Sequence, residues 1–289
     1  MYKFSLIMAT LGRKKEVENF MNSLKKQTYN NFELIIVDQN ENNYIAHLYN
    51  EYSKYYTIKY VHIDKKGLSL ARNVGLKYAS GDIIAFPDDD CEYDKDILDE
   101  VNTFFTNNLN YNILTCNLLD KDLNKQSNGK WPHKDKDLNT INIFKTGISC
   151  TIFIKKVNME DINFDEKLGV GAYLGSGEET DMLLQLIHNK YKGRYVHNLH
   201  VYHDDQKELD NIKIYNYSLG FGAVIKKELA YRKNYFYVNK LLINILIKPI
   251  IGIILYTILF NRNKRLTYIN KLNGRLQGFI KYNYEITYL

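Results

Sequence analysis

Four apolar segments in the first ninety residues, each separated from the next by a stretch of helical or polar character, leave this chain few architectures. Phe4–Ala9, Phe32–Asp38, Ile58–His62 and Ile83–Phe86 read as strands. Between the first two, Val17, Phe20, Met21 and Leu24 recur at i, i+3, i+4 and i+7, which gives a helix one apolar face. A polar helical stretch runs through Tyr49. A third helix spans Gly67–Ala79, where Ala71, Gly75 and Ala79 form a small-residue face that allows close approach to a sheet. Strand–helix alternation of this kind predicts a mostly parallel α/β sheet with helices on both faces.

In open sheets of this class, ligands bind beyond the carboxyl ends of the strands. The second strand ends at Asp38, and the fourth runs into Phe86-Pro87-Asp88-Asp89-Asp90. Three adjacent carboxylates raise one another's pKa unless a cation compensates them. Their oxygens suit Mg²⁺ or Mn²⁺, which commonly bridge protein acids to phosphates. The competing reading is a solvated acidic turn capping a helix from about Tyr93. No G-x-G-x-x-G follows the first strand, which weighs against a dinucleotide-dependent dehydrogenase, and G-x-x-x-x-G-K-[ST] is absent, which weighs against a P-loop NTPase.

Beyond the triplet, a helix to about Asn107 buries Ile97, Leu98, Val101, Phe104 and Phe105, and strands follow at Tyr111–Asn117 and Ile148–Ile154. Trp131, the only tryptophan, sits in a polar segment from Asp120 to Thr140, where it either stacks on a sugar or covers the core. A glycine-rich run, Gly169–Gly177, leads into Glu178, Glu179 and Asp181 at a helix start. Acids there complement the helix dipole, or one of them serves as a general base. Tyr195–His203 reads as a strand with His197, Leu199, Val201 and His203 on one face and His200 on the other.

The last part changes character. From Phe221 onward 12 Lys and Arg face only Glu228 and Glu285, although the whole chain of 289 residues has a net charge of just +6. A basic tail on a mildly acidic body points to an anionic partner surface. Residues 241–260 are largely apolar but interrupted by Lys248-Pro249. They read as a kinked helix lying in a membrane interface, a spanning segment, or a core or dimer helix. Three dispersed cysteines and an apolar start too short for a signal peptide place the catalytic part in the cytoplasm.

Taken in order, Gly-Leu-Ser-x-Ala-Arg-Asn at 67–73, Gly81 to Asp90, Phe164 to Asp181, and His203 resemble the inverting family-2 glycosyltransferases with the A-type fold, of the bacterial surface-polysaccharide type. The resemblance covers residues 3–205. It implies a catalytic domain at 1–205, with a mixed, mostly parallel central sheet, and a helical, membrane-associating extension at 206–289. It implies Thr10 and Asp38 as nucleotide contacts, usually to uracil, with Arg72, Asp88 and Asp89 at the donor. Asp90, Asp88 and His203 would hold Mn²⁺ or Mg²⁺. Glu179 would be the catalytic base, standing where the family more often has Asp, with Glu178 and Asp181 as neighbouring alternatives.

The implied partners are a nucleotide-sugar donor, a glycan or lipid-linked acceptor and the inner leaflet of the membrane, with a second copy of the chain possible and no nucleic acid. The processive Q-x-x-R-W signature is missing at Gln185–Asn189, so transfer of one sugar or a few is expected. A sugar nucleotidyltransferase, with Leu11–Lys15 as a faint phosphate loop, and an inactive assembly factor of the same fold are the competing functions.

Overall fold

The computed structural model describes residues 1–42, 44–123, 125–155, 159–204, 210–235, 239 and 243–283. The chain forms two compact units, residues 1–164 with 182–206, and residues 165–181 with 207–289.

The first unit is built on a ten-stranded sheet. Its strands are β1 (Phe4–Thr10), β2 (Phe32–Asp38), β3 (Thr57–His62), β4 (Ile83–Ala85), β5 (Cys91–Tyr93), β6 (Ile113–Asp120), β7 (Lys125–Gln126), β8 (Lys136–Asp137), β9 (Ile152–Lys155) and β10 (Gly193–His203). The main path runs β3-β2-β1-β4-β9-β6-β10-β5. β3, β2, β1 and β4 are mutually parallel, β9 is antiparallel to both β4 and β6, and β10 runs parallel to β6. The sheet is therefore mixed and mostly parallel, as the alternation predicts. Every residue of β1 and β2 is buried, which accounts for their continuous apolar character.

Helices α1 (Lys15–Lys25), α2 (Ala46–Tyr52), α3 (Leu68–Leu76) and α4 (Ile97–Asn107) follow strands in this unit. Val17, Phe20, Met21 and Leu24 are the apolar side chains that α1 buries. The small-residue face of α3 has a clear packing cause: a Cβ at Gly75 would stand 2.3 Å from Cγ2 of Ile7 and 3.2 Å from Cγ2 of Val37.

Two expectations change. The acids at 88–90 do not cap a helix from Tyr93, because β5 intervenes and α4 begins at Ile97 after Asp96. Strict alternation along the histidine-rich strand also fails, since a β-bulge between Val196 and His200 shifts the register of β10 against β6.

In the second unit, α6 (Asn211–Lys226) starts at Asp210, whose side chain accepts from Lys213 N at 2.7 Å. It continues as a π-helical turn, Lys227–Tyr231. A second π-turn, Ile243–Ile247, leads into α7 (Lys248–Ile258) and then α8 (Arg262–Lys281). Helix α5 (Glu178–His188) begins in this unit and continues in the first. Glycines let α6 and α8 approach closely: a Cβ at Gly278 would lie 1.9 Å from the Leu219 carbonyl, and one at Gly222 2.0 Å from that of Arg275.

Pro249 lies in the first turn of α7, directly after the π-turn, whose last residue Ile247 is itself helical. No helix of the described residues is long and apolar enough to cross a membrane, and residues 240–242 lie outside them. Because Ile7 is β-branched and fully buried, Gly75→Ala should lower stability by about 1–3 kcal/mol in urea unfolding.

Candidate active site

Parallel register aligns the strand ends of the first unit. Thr10 pairs with Asp38, Asp38 with His62, and Ala9 bridges to Asp88. The side chains expected at a nucleotide thus share one edge with the acidic triplet.

Asp38 is fully buried. One carboxylate oxygen accepts from Asn40 N at 2.8 Å and Asn40 Nδ2 at 2.7 Å, and the other accepts from the Tyr60 hydroxyl. Asn40 in turn accepts from Gly12 N at 2.5 Å through Oδ1 and contacts His62 Nε2 at 2.8 Å through its carbonyl. Gln39 Oε1 accepts from Gly67 N at 2.7 Å. Asp38 therefore acts first as the anchor of a polar rim made by the loops after β1, β2 and β3. Thr10 lies in that rim with its hydroxyl buried beside the Asp89 carboxyl, which it helps to hold down.

Three cations compensate the triplet. Arg13 pairs with Asp89 at 2.6 Å and with Asp90 at 2.5 Å. Arg72, which is 1% exposed, donates to Asp88 at 2.9 Å, and Ser149 Oγ reaches both Asp88 oxygens at 3.0 Å. His203 Nε2 stands 3.2 Å from Asp90. Burial pushes the Asp89 carboxyl up to about 6, against the pull of Arg13. Asp90 is held below the usual carboxylate range because His203 and Arg13 outweigh its desolvation. Desolvation likewise opposes charge on His203, but Asp90 prevails and raises its pKa to about 9. The imidazole is thus protonated at neutral pH.

The protein's own cations meet the like-charge problem posed by the sequence in part, most fully at Asp90, while burial still raises the Asp88 and Asp89 carboxyls. Asp90 and His203 nevertheless offer oxygen and nitrogen donors to a hard or borderline divalent ion, and that donor set fits Mn²⁺ or Mg²⁺. Binding there would displace the imidazole proton. Among the described residues no three such groups are gathered about one point, so phosphate or water oxygens would have to complete the shell.

The glycosyltransferase-like motif at 67–73 has a structural logic. Arg72 holds Asp88 while Asn73 makes a reciprocal pair with the Phe164 backbone, at 2.8 and 2.9 Å. Trp131 is 4% exposed, donates to the Ser127 carbonyl at 2.9 Å and stacks on Tyr195. It covers the core. Of the three histidines on β10, His197 pairs with Asp135 at 2.7 Å and His200 contacts the Tyr202 hydroxyl at 3.0 Å, which leaves His203 with the acids.

In the second unit, Asp181 is 1% exposed and bound by Lys227 at 2.6 Å and Arg232 at 2.7 Å. Both of its carboxylate oxygens are engaged, Oδ2 by Lys227 and Oδ1 by Arg232. Glu178 is buried and Glu179 half-buried in the same turn.

Arg13, Asn40, Gln39, Tyr60 and Ser149 went unrecognised in the sequence as parts of the site. Only Arg13 left a trace, in the basic run after the first strand.

A parallel sheet with a polar nucleotide-type rim, crossed by an antiparallel strand and carrying acids paired to a late-strand histidine, is the A-type glycosyltransferase fold. The chain belongs to glycosyltransferase family 2: the family model described as "Glycosyl transferase family 2" matches residues 5–161.

Among curated relatives, it is 37% identical over 93 residues to an Escherichia coli UDP-Glc:alpha-D-GlcNAc-diphosphoundecaprenol beta-1,3-glucosyltransferase, covering 31% of this chain and 35% of that one. It is 30% identical over 108 residues to the Staphylococcus aureus poly(ribitol-phosphate) beta-N-acetylglucosaminyltransferase TarS, covering 36% of this chain and 19% of that protein. The chain thus spans about a third or less of the length of these relatives.

Among solved structures, TarS residues 1–349 with UDP-GlcNAc superpose with a TM-score of 0.61 at 16% identity, over 99% of this chain and 95% of that one. A Pyrobaculum calidifontis mannosyltransferase with GDP-Man and Mn²⁺ gives 0.69 at 11% identity, over 97% and 86%. At those identities the likeness concerns the fold.

One electrostatic consequence lies in the second unit. Burial alone would raise the Asp165 carboxyl, but Lys227 at 2.8 Å and the Tyr282 hydroxyl at 2.6 Å hold it below its ordinary value. Its folded pKa lies below the unfolded value of about 3.9. Its stabilisation is therefore complete above about pH 4 and is lost as pH falls through the folded value. Asp165→Asn should flatten that acid limb in unfolding measured at a series of pH values.

Proposed function

We propose that this protein is an inverting glycosyltransferase that moves a sugar from a nucleoside diphosphate donor, a UDP-sugar, to a hydroxyl of a glycan or lipid-linked acceptor in cell-surface polysaccharide synthesis. The observation that carries this reading is the cation-balanced triplet at Asp88–Asp90, on the same sheet edge as Thr10 and the Asp38-anchored rim. Residues 1–205 form the catalytic domain in this reading, and 206–289 its basic helical extension.

The roles follow from the groups. Thr10 and the rim held by Asp38 receive the nucleoside. Arg72 holds Asp88 at the donor side, opposing the rise that burial imposes on that carboxyl, with Asp89 beside it. Asp90 and His203 would hold Mn²⁺ or Mg²⁺, with Asp88 behind them and phosphate oxygens completing the shell, and the ion would supply charge neutralisation for the departing diphosphate. Glu179 takes the proton from the acceptor hydroxyl as it attacks the anomeric carbon from the face opposite the leaving group. Displacement in one step inverts that centre.

The extension suits a cytoplasmic enzyme working at the inner leaflet. Helix α7 exposes Ile250, Ile251, Ile254, Leu255 and Ile258 on adjoining turns, and Phe260 just beyond it is 95% exposed. Lys248, Arg262 and Lys264, all exposed, flank that patch. An apolar face rimmed by cations fits an anionic lipid interface.

Incubation with a panel of labelled sugar nucleotides tests the reaction. Release of nucleoside diphosphate supports sugar transfer, pyrophosphate release would mean nucleotidyl transfer, and silence with every donor and acceptor would leave a scaffold. Asp90→Ala and Glu179→Gln should each reduce turnover by about 10²-fold or more while the fold persists, and near-normal rates would remove those assignments. In flotation assays the protein should bind vesicles containing phosphatidylglycerol, more weakly at high salt, and Ile254→Glu with Ile258→Glu should abolish most of that binding.

A further inference from the structure

We propose that Lys227 and Arg232 are positioning residues for the catalytic base, holding Glu179 in place through their shared grip on Asp181. The inference rests on Glu179 being the base.

Lys227 closes a loop. Its ammonium binds Asp165 at 2.8 Å and Asp181 at 2.6 Å, which are the first and last residues of the 165–181 segment. That segment contains Gly169, Gly171, Gly175 and Gly177, all with positive φ, and turns back on itself through Leu174 N to the Lys167 carbonyl at 3.1 Å, so the clamp ties its two ends. Glu179 stands two residues before Asp181, whose amide makes an early bond of the helix, to the Gly177 carbonyl at 2.9 Å. Fixing Asp181 therefore fixes the turn that carries Glu179.

Arg232 reaches the same carboxylate because of the π-helical turn. In an α-helix, residues five apart point about 140° away from each other. At 227–231 the wider turn brings the two onto one side, with Arg232 N bonded to the Lys227 carbonyl at 3.0 Å. Arg232 is itself held by Glu228 at 2.9 Å, and Glu228 accepts from Asn234 Nδ2 at 2.7 Å.

The loop also rests directly on α6. Ser176 Oγ donates to the Tyr217 carbonyl at 2.8 Å, and a Cβ at Gly220 would stand 1.9 Å from the Ser176 carbonyl. The clamp therefore sets a loop that is already seated, which is the arrangement a base needs if its carboxylate is to stay aligned.

Lys227→Gln and Arg232→Gln test this, alone and combined with Glu179→Gln. The readouts are UDP release from UDP-glucose and UDP-GlcNAc, UDP binding, and amide exchange. Each clamp variant should lower kcat by about 10- to 100-fold, the cost of a small misplacement, while UDP affinity stays within about twofold. Lys227→Arg should recover most of the rate. In the Glu179→Gln background the clamp substitutions should cost less than about threefold, because the group they act through is already gone. Equal losses in both backgrounds, or an unchanged kcat, would overturn the proposal.

Wild-type turnover in Glu179→Gln would instead remove the base and the inference with it. Low turnover there with harmless clamp variants would overturn the clamp alone. Amide exchange needs no turnover. Peptides from 166–181 should exchange about tenfold faster in Lys227→Gln, or in Arg232→Gln if the former does not fold, and unchanged protection would count against the clamp.

Discussion

Charge compensation at Asp88–Asp90 is the constraint on which the first unit depends. At a separation of 4 Å and an effective dielectric of 20, two carboxylates repel by about 4 kcal/mol, so three in a row at a sheet edge need partners. The partners come from three places: Arg13 from the loop after β1, Arg72 from α3, and His203 from the end of β10. Compensation is uneven. Asp90 is held ionised by two neighbours, whereas Asp89 remains buried enough for its pKa to reach about 6. A site balanced in this way still presents donors to an ion.

The second unit solves a different problem with similar means. Its helices carry glycines where backbones nearly touch, at Gly222 and Gly278 between α6 and α8 and at Gly220 beneath Ser176. Close seating limits where the glycine-rich loop can lie, and the Lys227–Asp165–Asp181–Arg232 ion network limits how it can move. Breaking one member of a buried network leaves an uncompensated charge, so such a network is more a device for a single geometry than a source of stability. At the other end of this unit, α7 keeps its isoleucines in contact with solvent. The two ends of the helical unit thus have separate physical roles, one holding a loop and the other presenting an apolar face.

Much was legible along the chain because it depends on local periodicity. β1, β2, α1 and α4 lie where the apolar spacing put them, since burial on one or both faces leaves a repeat of 2.0, 3.6 or none. Asp38, the 88–90 triplet and His203 stood out because they fall in order within the motifs that resemble the family. The same approach left Trp131 undecided, and only its contacts with Tyr195 and Ser127 settle that it covers the core. It also read β10 as an unbroken alternation, because a β-bulge adds a residue without marking the composition.

The sequence by itself determined the class of fold, the edge of the sheet where chemistry belongs and the family, because these rest on ordered motifs and on repeats that every residue carries locally. Only the tertiary structure decided which charges meet. Arg13 lies 76 positions from Asp89, and Lys227 lies 62 from Asp165 and 46 from Asp181. No spacing rule predicts such pairs, since Coulombic attraction acts through space while sequence separation records only distance along the chain. For the same reason the two cations that enclose Asp181 are visible only in the fold.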